Sequence, residues 1–363
     1  RLETIRLLIA IAAQQSWEVH HMDVKSAFLN GKLKEEVYVI QPPRFVLEGQ
    51  AHKVLKLHKA LYGLKQAPRA WNEKLHNTLV DLGFEQCPFE HAVYRRSKLV
   101  VGVYVDDLII SGPSPTEIGE FKEQMKNLFS MSDLGLLSYY LGIEVKQQSN
   151  GTFLSQSSYA TKILEKCGMS NCYAVQTPME ARLHLSKFST CKAVDPTLYR
   201  SIVGSLRYLT HTHPDITYAV GIVSRYMEKP ASDHLAAVKQ ILRYVKGTLN
   251  FGCFYKREEE TSMSLCGYSD SDLGGDVDDR KSTTGIIFYL GSSPLTWLSK
   301  KQKVVSQSSC EAEYVTAAVA ACQGVWLSRM LTSLTGLEGE QVVLKIDNQS
   351  PIALSKNPVH HER

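Results

Sequence analysis

Apolar side chains recur at helical intervals through RLETIRLLIAIAAQQSW (residues 1–17), and HMDVKSAFL (21–29) follows with strand-like chemistry, so the chain opens as helix then strand. Between Lys98 and Ser111, KLVVGVYVDDLIIS places two β-branched apolar runs on either side of Asp106 and Asp107, and Gly112 with Pro113 ends the segment. That pattern predicts a hairpin with an acidic tip. Glu117 to Phe129 has helical periodicity, and LLSYYLGIEVKQQ (136–148) returns to strand chemistry before the turn residues Asn150 and Gly151. From Ser155 to about Lys256 the pattern is largely helical, as in YRSIVGSLRYL and DHLAAVKQILRYVKGTL, with a turn-rich loop from Thr177 to Pro196. After the charged run Lys256 to Glu260 come strand-like SLCGYSD, TTGIIFYLG and PLTWLSKK, a helix from Cys310 to about Leu331, the strand VVLKIDN and a helix start at Ser350 and Pro351. This last order is α/β in character. The pattern divides the chain into 1–150, a helical connecting region 151–258, and 259–363.

Composition narrows the class without identifying it. At 363 residues, 44% hydrophobic and 21% charged, the chain resembles an ordinary folded protein of two or three domains. A net charge of +4 is too small to mark a nucleic-acid binder by itself. No apolar run approaches the roughly 18 residues of a membrane span, so no membrane role is expected. The eight cysteines form no CxxC pair and no zinc-ligand spacing, which argues against a disulfide framework and for a reducing, intracellular compartment. The histidine pairs His20–His21 and His360–His361, with His211 and His213, lack partners at zinc-site spacing.

The chemistry lies in the carboxylates. Adjacent Asp106 and Asp107 sit between apolar residues, where like charges repel unless a cation neutralises them. Asp23, at a strand end in HMDVKSAF, could join them, and three such acids suit hard divalent cations. An acidic hairpin turn with no metal role fits the pair alone equally well. A second acidic set follows about 160 residues on: Asp270 in GYSDSDLGGD at the end of a strand, Glu313 in SSCEAEYVTAA early in a helix, and Asp347 in KIDNQSPIAL at the end of a later strand. Asp272, Asp276, Asp278 and Asp279 could make Asp270 one of several solvated turn acids, Glu311 competes with Glu313, and Asp347 could serve as a helix cap.

HMDVKSAFLNG, LYGLKQAPRAW, YVDDLIISG and YYLGIEV together resemble the reverse transcriptases of copia-type LTR retrotransposons, in their order and approximate spacing. DDRKSTTG and SKKQKVVSQSSCEAEY extend the resemblance over essentially the whole chain, to the reverse transcriptase and ribonuclease H region of a Pol polyprotein. It implies an α+β and α/β architecture: a right-hand polymerase palm with partial fingers (1–150), a helical thumb or connection (151–258) and a ribonuclease H-like domain (259–363). The implied activity is RNA-directed DNA polymerase with ribonuclease H, by two-metal phosphoryl transfer with two Mg2+ per site and Mn2+ as the alternative ion. Asp23 and Asp106 would be metal ligands and Asp107 their companion. Phe28, five residues after Asp23, matches the aromatic that lies under the incoming sugar and excludes a ribose 2′-hydroxyl; a core phenylalanine on the same strand is the alternative.

Lys65, Gln66 and Arg69, with Trp71 as an aromatic, suit phosphates and template stacking. Leu141 and Gly142 resemble the primer grip, as would an ordinary strand with a glycine bulge. Asp270, Glu313 and Asp347 would hold the second pair of metals. Basic and aromatic residues also alternate in RYVKGTLNFGCFYK and WLSKKQK, which could track a hybrid duplex or, for the first, form a solvated helix face. Implied partners are an RNA template, a DNA primer, the RNA/DNA hybrid, dNTPs and other Pol and Gag segments, in a cytoplasmic virus-like particle or the nucleus. The resemblance also places basic fingers residues before Arg1 and a fourth ribonuclease H acid beyond NPVHHER. Both active sites are therefore expected to be incomplete here, and a catalytically inactive remnant that at most binds nucleic acid is the competing expectation.

Overall fold

The computed structural model describes residues 2–46, 48–257, 263–336 and 341–356. The stretch NPVHHER, with His360 and His361, and residues 258–260 of the charged run lie outside them. Two compact units form, one of Trp17–Leu137 with Ser333–Thr335 and the other of Arg1–Ser16, Ser138–Thr332 and Gly336–Arg363. Helix α1 (Leu2–Gln14) belongs to the latter, and Thr4 through Ala13 are all buried. Its Arg6 is accommodated because Nη1 donates to the Leu295 carbonyl at 2.8 Å and the guanidinium stacks 3.9 Å above the Trp297 ring.

The Trp17–Leu137 unit contains, in chain order, β1 (Val19–Val24), β2 (Lys32–Ile40), β3 (Val54–Lys59), α2 (Ala67–Asp81), β4 (Glu85–Gln86), β5 (Val93–Arg96), β6 (Leu99–Tyr104), β7 (Asp107–Ser111), α3 (Pro115–Leu128) and β8 (Met131–Leu136). Six strands form one sheet in the order β4-β5-β6-β7-β1-β8, while β2 and β3 pair as a separate ribbon. Alternate residues of the central strands, Met22 and Val24, Val101, Leu108 and Ile110, point into one core. There they meet Trp71, Leu75 and Leu79 of α2 and Ile118, Phe121 and Met125 of α3, at helical spacing. Each such side chain contributes roughly 1.5–3 kcal/mol when fully buried. Gly31 lets the chain pass α2: a Cβ there would lie 2.7 Å from the Ala70 carbonyl carbon. Lys122 is buried on α3, where Nζ meets both Asp133 oxygens at 2.9 and 3.2 Å and His20 Nδ1 at 3.0 Å.

The other unit continues with β9 (Tyr139–Tyr140), β10 (Ile143–Gln148), β11 (Gly151–Ser155), α4 (Ser157–Lys166), α5 (Pro196–Leu209), α6 (Thr217–Val223), α7 (Ser232–Gly247) and β12 (Gly252–Lys256). Asn150 lies in the two-residue turn between β10 and β11, and β11 pairs onward with β12, so the sheet β12-β11-β10-β9 runs through that point. The helical reading of residues up to Lys256 is corrected at β12. Cys253 and Tyr255 alternate as buried residues with exposed or half-buried neighbours, a period of two that aromatic residues favour. Helices α4 to α7 share a core that includes Ile163, Tyr199, Val203, Leu206, Val220 and Ile241. Asp195 caps α5, accepting from the N–H groups of Thr197 and Leu198 at 2.8 and 3.3 Å, with Pro196 at the first helical position.

Last come β13 (Leu265–Ser271), β14 (Thr283–Leu290), β15 (Ser293–Lys301), α8 (Ser309–Thr335), β16 (Val343–Ile346) and α9 (Gln349–Ser355). The sheet order is β15-β14-β13-β16, antiparallel except for the parallel pair β13–β16, whose return connection carries α8. Helix α8 lies against this sheet: Thr284 and Thr316 hydroxyls meet at 2.9 Å, and a Cβ on Gly324 would come 3.2 Å from the Phe288 ring. Gly336 ends α8 at φ 72, the left-handed region glycine enters without strain. No described helix is long and apolar enough to cross a membrane.

Candidate metal centres

The first acidic set lies where β1 and β7 run side by side. Asp23 pairs in register with Asp107, and Tyr104 pairs with Asp107 across the two-residue turn Val105–Asp106. Val105 holds φ 57, a conformation that costs a β-branched residue on the order of 1–3 kcal/mol. Two hydrogen bonds hold the strained turn: Trp71 Nε1 donates to the Val105 carbonyl at 2.5 Å, and Val24 N–H donates to the Asp106 carbonyl at 2.9 Å. Trp71 is 2% exposed, so its ring is unavailable for template stacking and that expectation is corrected: the indole anchors the acidic turn.

All three acids are half-buried. Burial, and then the negative charges of Asp106 and Asp107, push the Asp23 carboxyl above the usual range. Such mutual repulsion is what a bound divalent cation relieves, so the donor set fits one. Asp107 Oδ1 also lies 2.6 Å from His21 Nε2, a contact that the sequence reading missed. Strand alternation was the available signal, since His21 and Asp23 share a face of β1.

The remaining residues of this unit spread around that edge. Phe28 lies in a single 3-10 turn, Ala27–Asn30, rather than on the strand; its half-buried ring sits 4.7 Å from that of exposed Tyr62. Gly63 turns the chain at φ 92 ahead of exposed Lys65, half-buried Gln66 at the N-cap of α2, and exposed Arg69. In the other unit, Leu141 and Gly142 form the β9–β10 turn with φ 47 and 74, and the Tyr208 hydroxyl donates to the Leu141 carbonyl. They constitute a two-residue turn, not a bulge within a strand.

The second set is drawn together more tightly. Carboxylate oxygens of Asp270, Glu313 and Asp347 lie within 4.8 Å of one another, the one such acidic, histidine or cysteine group among the described residues. Asp270 sits one residue from the end of β13, Asp347 directly follows β16, and the parallel pairing of these strands brings their C-terminal ends together. Glu313 arrives from the first turns of α8 and is 5% exposed. Its Oε1 accepts from Ser271 N–H at 3.0 Å, whereas Oε2 is buried without a hydrogen-bond partner. Burial, then the negative charges of Asp270 and Asp347, raise the Glu313 carboxyl, against the Ser271 hydrogen bond. A buried oxygen with no donor, facing two more carboxylates, is what an oxygen-loving divalent cation would satisfy. Asp270 and Asp347 also line a cavity of about 640 Å³ whose wall includes Tyr218, Tyr268, Trp297 and Lys345.

The neighbouring acids have other work. Glu311 serves the start of α8: the N-cap Ser308 Oγ accepts from Glu311 N–H at 3.1 Å, and Glu311 Oε2 accepts from Gln307 N–H at 2.8 Å. Asp272 accepts from Thr283 N–H at 2.6 Å, and Asp278 from Ser186 Oγ at 2.5 Å and Lys187 N–H at 2.9 Å. Asp276 is buried between Arg225 at 3.0 Å and Lys301 at 2.7 Å, and Lys301 also reaches Asp279 at 2.7 Å. Burial opposes ionisation of Asp276, but the Lys301 hydrogen bond and charge and two backbone N–H groups hold its carboxyl down to about 2.

Residues 1–181 match the family model described as reverse transcriptase (RNA-dependent DNA polymerase). The retrovirus-related Pol polyprotein from transposon RE1 of Arabidopsis thaliana is 43% identical over 99% of this chain and 25% of its own length. That from transposon TNT 1-94 of Nicotiana tabacum is 39% identical over 100% of this chain and 28% of its own. The chain thus spans about a quarter of the length of these polyproteins. A transposon Ty5-1 protein of Saccharomyces cerevisiae is 38% identical over 82% of this chain and 98% of its own length. The chain therefore belongs to the copia-type retrotransposon Pol family, with residues 1–181 in its reverse transcriptase region.

Proposed function

We propose that the chain carries two phosphoryl-transfer centres of its element, an RNA-directed DNA polymerase in the Trp17–Leu137 unit and a ribonuclease H around β13, α8 and β16. The observation that carries this is the occurrence of two acid sets at strand ends, in separate units of one reverse transcriptase family chain. Asp23 and Asp106, with Asp107 as companion, would hold one pair of Mg2+ ions, or Mn2+; Asp270, Glu313 and Asp347 would hold the other. Bound there, such ions neutralise charge on the reacting phosphate and lower the pKa of its nucleophile.

The protein's own groups bind and orient. His21 fixes the Asp107 carboxylate, and Trp71 holds the turn that presents Asp106. Phe28 lies under the deoxyribose of a dNTP, where its ring excludes a 2′-hydroxyl. Lys65 and Arg69, both exposed ahead of or on α2, supply cations to triphosphate or template phosphates, with Gln66 beside them. Leu141 and Gly142 offer a backbone turn to the primer strand. The substrates are then an RNA template, a DNA primer, dNTPs and the RNA/DNA hybrid, and the setting is a particle shared with other Pol and Gag segments, cytoplasmic or nuclear. The architecture that accompanies this reading is a palm, a helical thumb or connection built on α4 to α7, and a ribonuclease H-like α/β domain.

Cleavage of the RNA strand in a labelled RNA/DNA hybrid tests the second centre, using this chain and a version extended at both ends. Magnesium-dependent cleavage that Asp270→Asn abolishes supports the assignment; cleavage unchanged by Asp270→Asn removes that residue from the centre.

A further inference from the structure

Gln302, which directly follows β15, is 6% exposed, and its amide reaches the residues next to Asp270 and Glu313 in the chain. Its Nε2 lies 3.0 Å from the Ala312 carbonyl, 3.2 Å from Ser271 Oγ, and 3.3 Å from both Thr284 Oγ1 and Thr316 Oγ1. Its Oε1 accepts from Ser306 Oγ at 3.2 Å. An amide has two N–H donors, so four acceptors in range leave no donor unused. Ser271 is the residue after Asp270, and Ala312 the residue before Glu313. One side chain thus ties the strand end bearing the first acid to the helical turn bearing the second. Thr316 reinforces the tie, donating to the Ala312 carbonyl at 3.1 Å while meeting Thr284 at 2.9 Å.

A polar group in a core costs stability unless its hydrogen bonds are made, and an apolar side chain would fill the same volume without that demand. What the amide adds is a fixed distance. Asp270 and Glu313 repel each other, and their oxygens stay within 4.8 Å only if the backbone that carries them is held. The Ser271 N–H bond to Glu313 Oε1 is a second tie between the same two segments.

We propose that Gln302 is a positioning residue for the acidic trio: it clamps the end of β13 to the first turns of α8 and sets the separation of Asp270 and Glu313 before a cation arrives. This rests on the reading of the trio as a divalent-metal centre. The test is Mn2+ titration of the full chain, with free aqueous Mn2+ followed by electron paramagnetic resonance, in an Asp23→Asn, Asp106→Asn background that silences the first acidic set. Gln302→Leu and Ser271→Ala are compared with that parent, and melting in EDTA reports any purely structural damage.

The expected result is Mn2+ affinity about tenfold weaker for Gln302→Leu, the size of effect that outer-shell partners of metal ligands have, and a smaller loss in the same direction for Ser271→Ala. Affinity within twofold of the parent for both variants overturns the proposal, whatever happens to the melting temperature. Should Gln302→Leu not fold, Ser271→Ala decides: a loss of about threefold or more supports the clamp, and an unchanged affinity overturns it. If the parent itself binds no Mn2+, the metal-centre reading fails and the clamp with it; if the parent binds and the variants bind equally well, only the clamp fails.

Discussion

Glu313→Gln should stabilise the metal-free protein at neutral pH and remove the part of its Mg2+ response that arises at the Asp270–Glu313–Asp347 trio. The substitution keeps the shape of the side chain and the oxygen that accepts from Ser271 N–H, and removes one of three charges whose oxygens lie within 4.8 Å of one another. At that distance a pair of unit charges repels by roughly 1 kcal/mol at the dielectric of water and about 3.5 kcal/mol at an effective dielectric of 20. Asp270 and Asp347 are exposed, so the lower figure applies, and the two pairs that include Glu313 sum to about 2 kcal/mol. That corresponds to a rise of several degrees in melting temperature for a unit of this size. The pH dependence has a definite sign. Because the folded-state pKa of Glu313 is raised from 4.5, the metal-free wild type gains stability as pH falls through that raised value towards 4.5, and loses it again as pH rises. Glu313→Gln should lack this component. Mg2+ reverses the order, since it stabilises only the form that binds it. Differential scanning calorimetry in EDTA and in millimolar Mg2+ reads both effects. A Glu313→Gln protein less stable than wild type in EDTA at neutral pH would refute the charge argument.

Three further outcomes follow from other contacts. Asp276→Asn should lose about 2 kcal/mol at neutral pH, the equivalent of a carboxyl moved from 3.8 to about 2, and this difference should vanish as pH falls from about 4 to 2, read by denaturant melts across that range. Lys122→Met should cost about 2 kcal/mol, because Asp133 keeps its charge in a site only 29% exposed and loses its nearest cation. Burial opposes ionisation of Asp133 but Lys122 and the Gly135 N–H hold its pKa below 3.8, so the wild-type advantage should shrink on acidification through the carboxylate range. Gly142→Ala should weaken primer-template binding with a modest loss of stability, since φ 74 disfavours a side chain and a Cβ would collide with the Tyr208 hydroxyl; unchanged binding by fluorescence anisotropy would separate this turn from the primer.

The acidic hairpin was legible because its signals are local. Two β-branched apolar runs, buried along most of their length, flank a tip of two residues, and β6 and β7 form on that pattern. The Asp270–Glu313–Asp347 trio was legible residue by residue, but its convergence depends on the parallel pairing of β13 with β16, which spans α8 and has no local signature. Sorting Asp270 from its acidic neighbours likewise needed tertiary partners, such as Arg225 and Lys301 for Asp276 and Ser186 for Asp278. Trp71 and Gln302 were misjudged or overlooked for the same reason. An indole and an amide look solvent-seeking or ligand-seeking in sequence, and here both are buried with their donors spent on backbone carbonyls. Strand β12 was read as helix because its five residues follow a long helical pattern and pair with β11, about 100 residues earlier in the chain.

The most direct test of the account is primer extension on an RNA template, run with the chain and a version extended at both ends, each beside its Asp106→Asn variant. The account predicts Mg2+-dependent dNTP incorporation that the Asn variant loses by at least about 100-fold, as expected when a group that stabilises the transition state is removed. Extension that is equal in the Asp106→Asn protein, or absent from the extended chain and its variant alike, would contradict it.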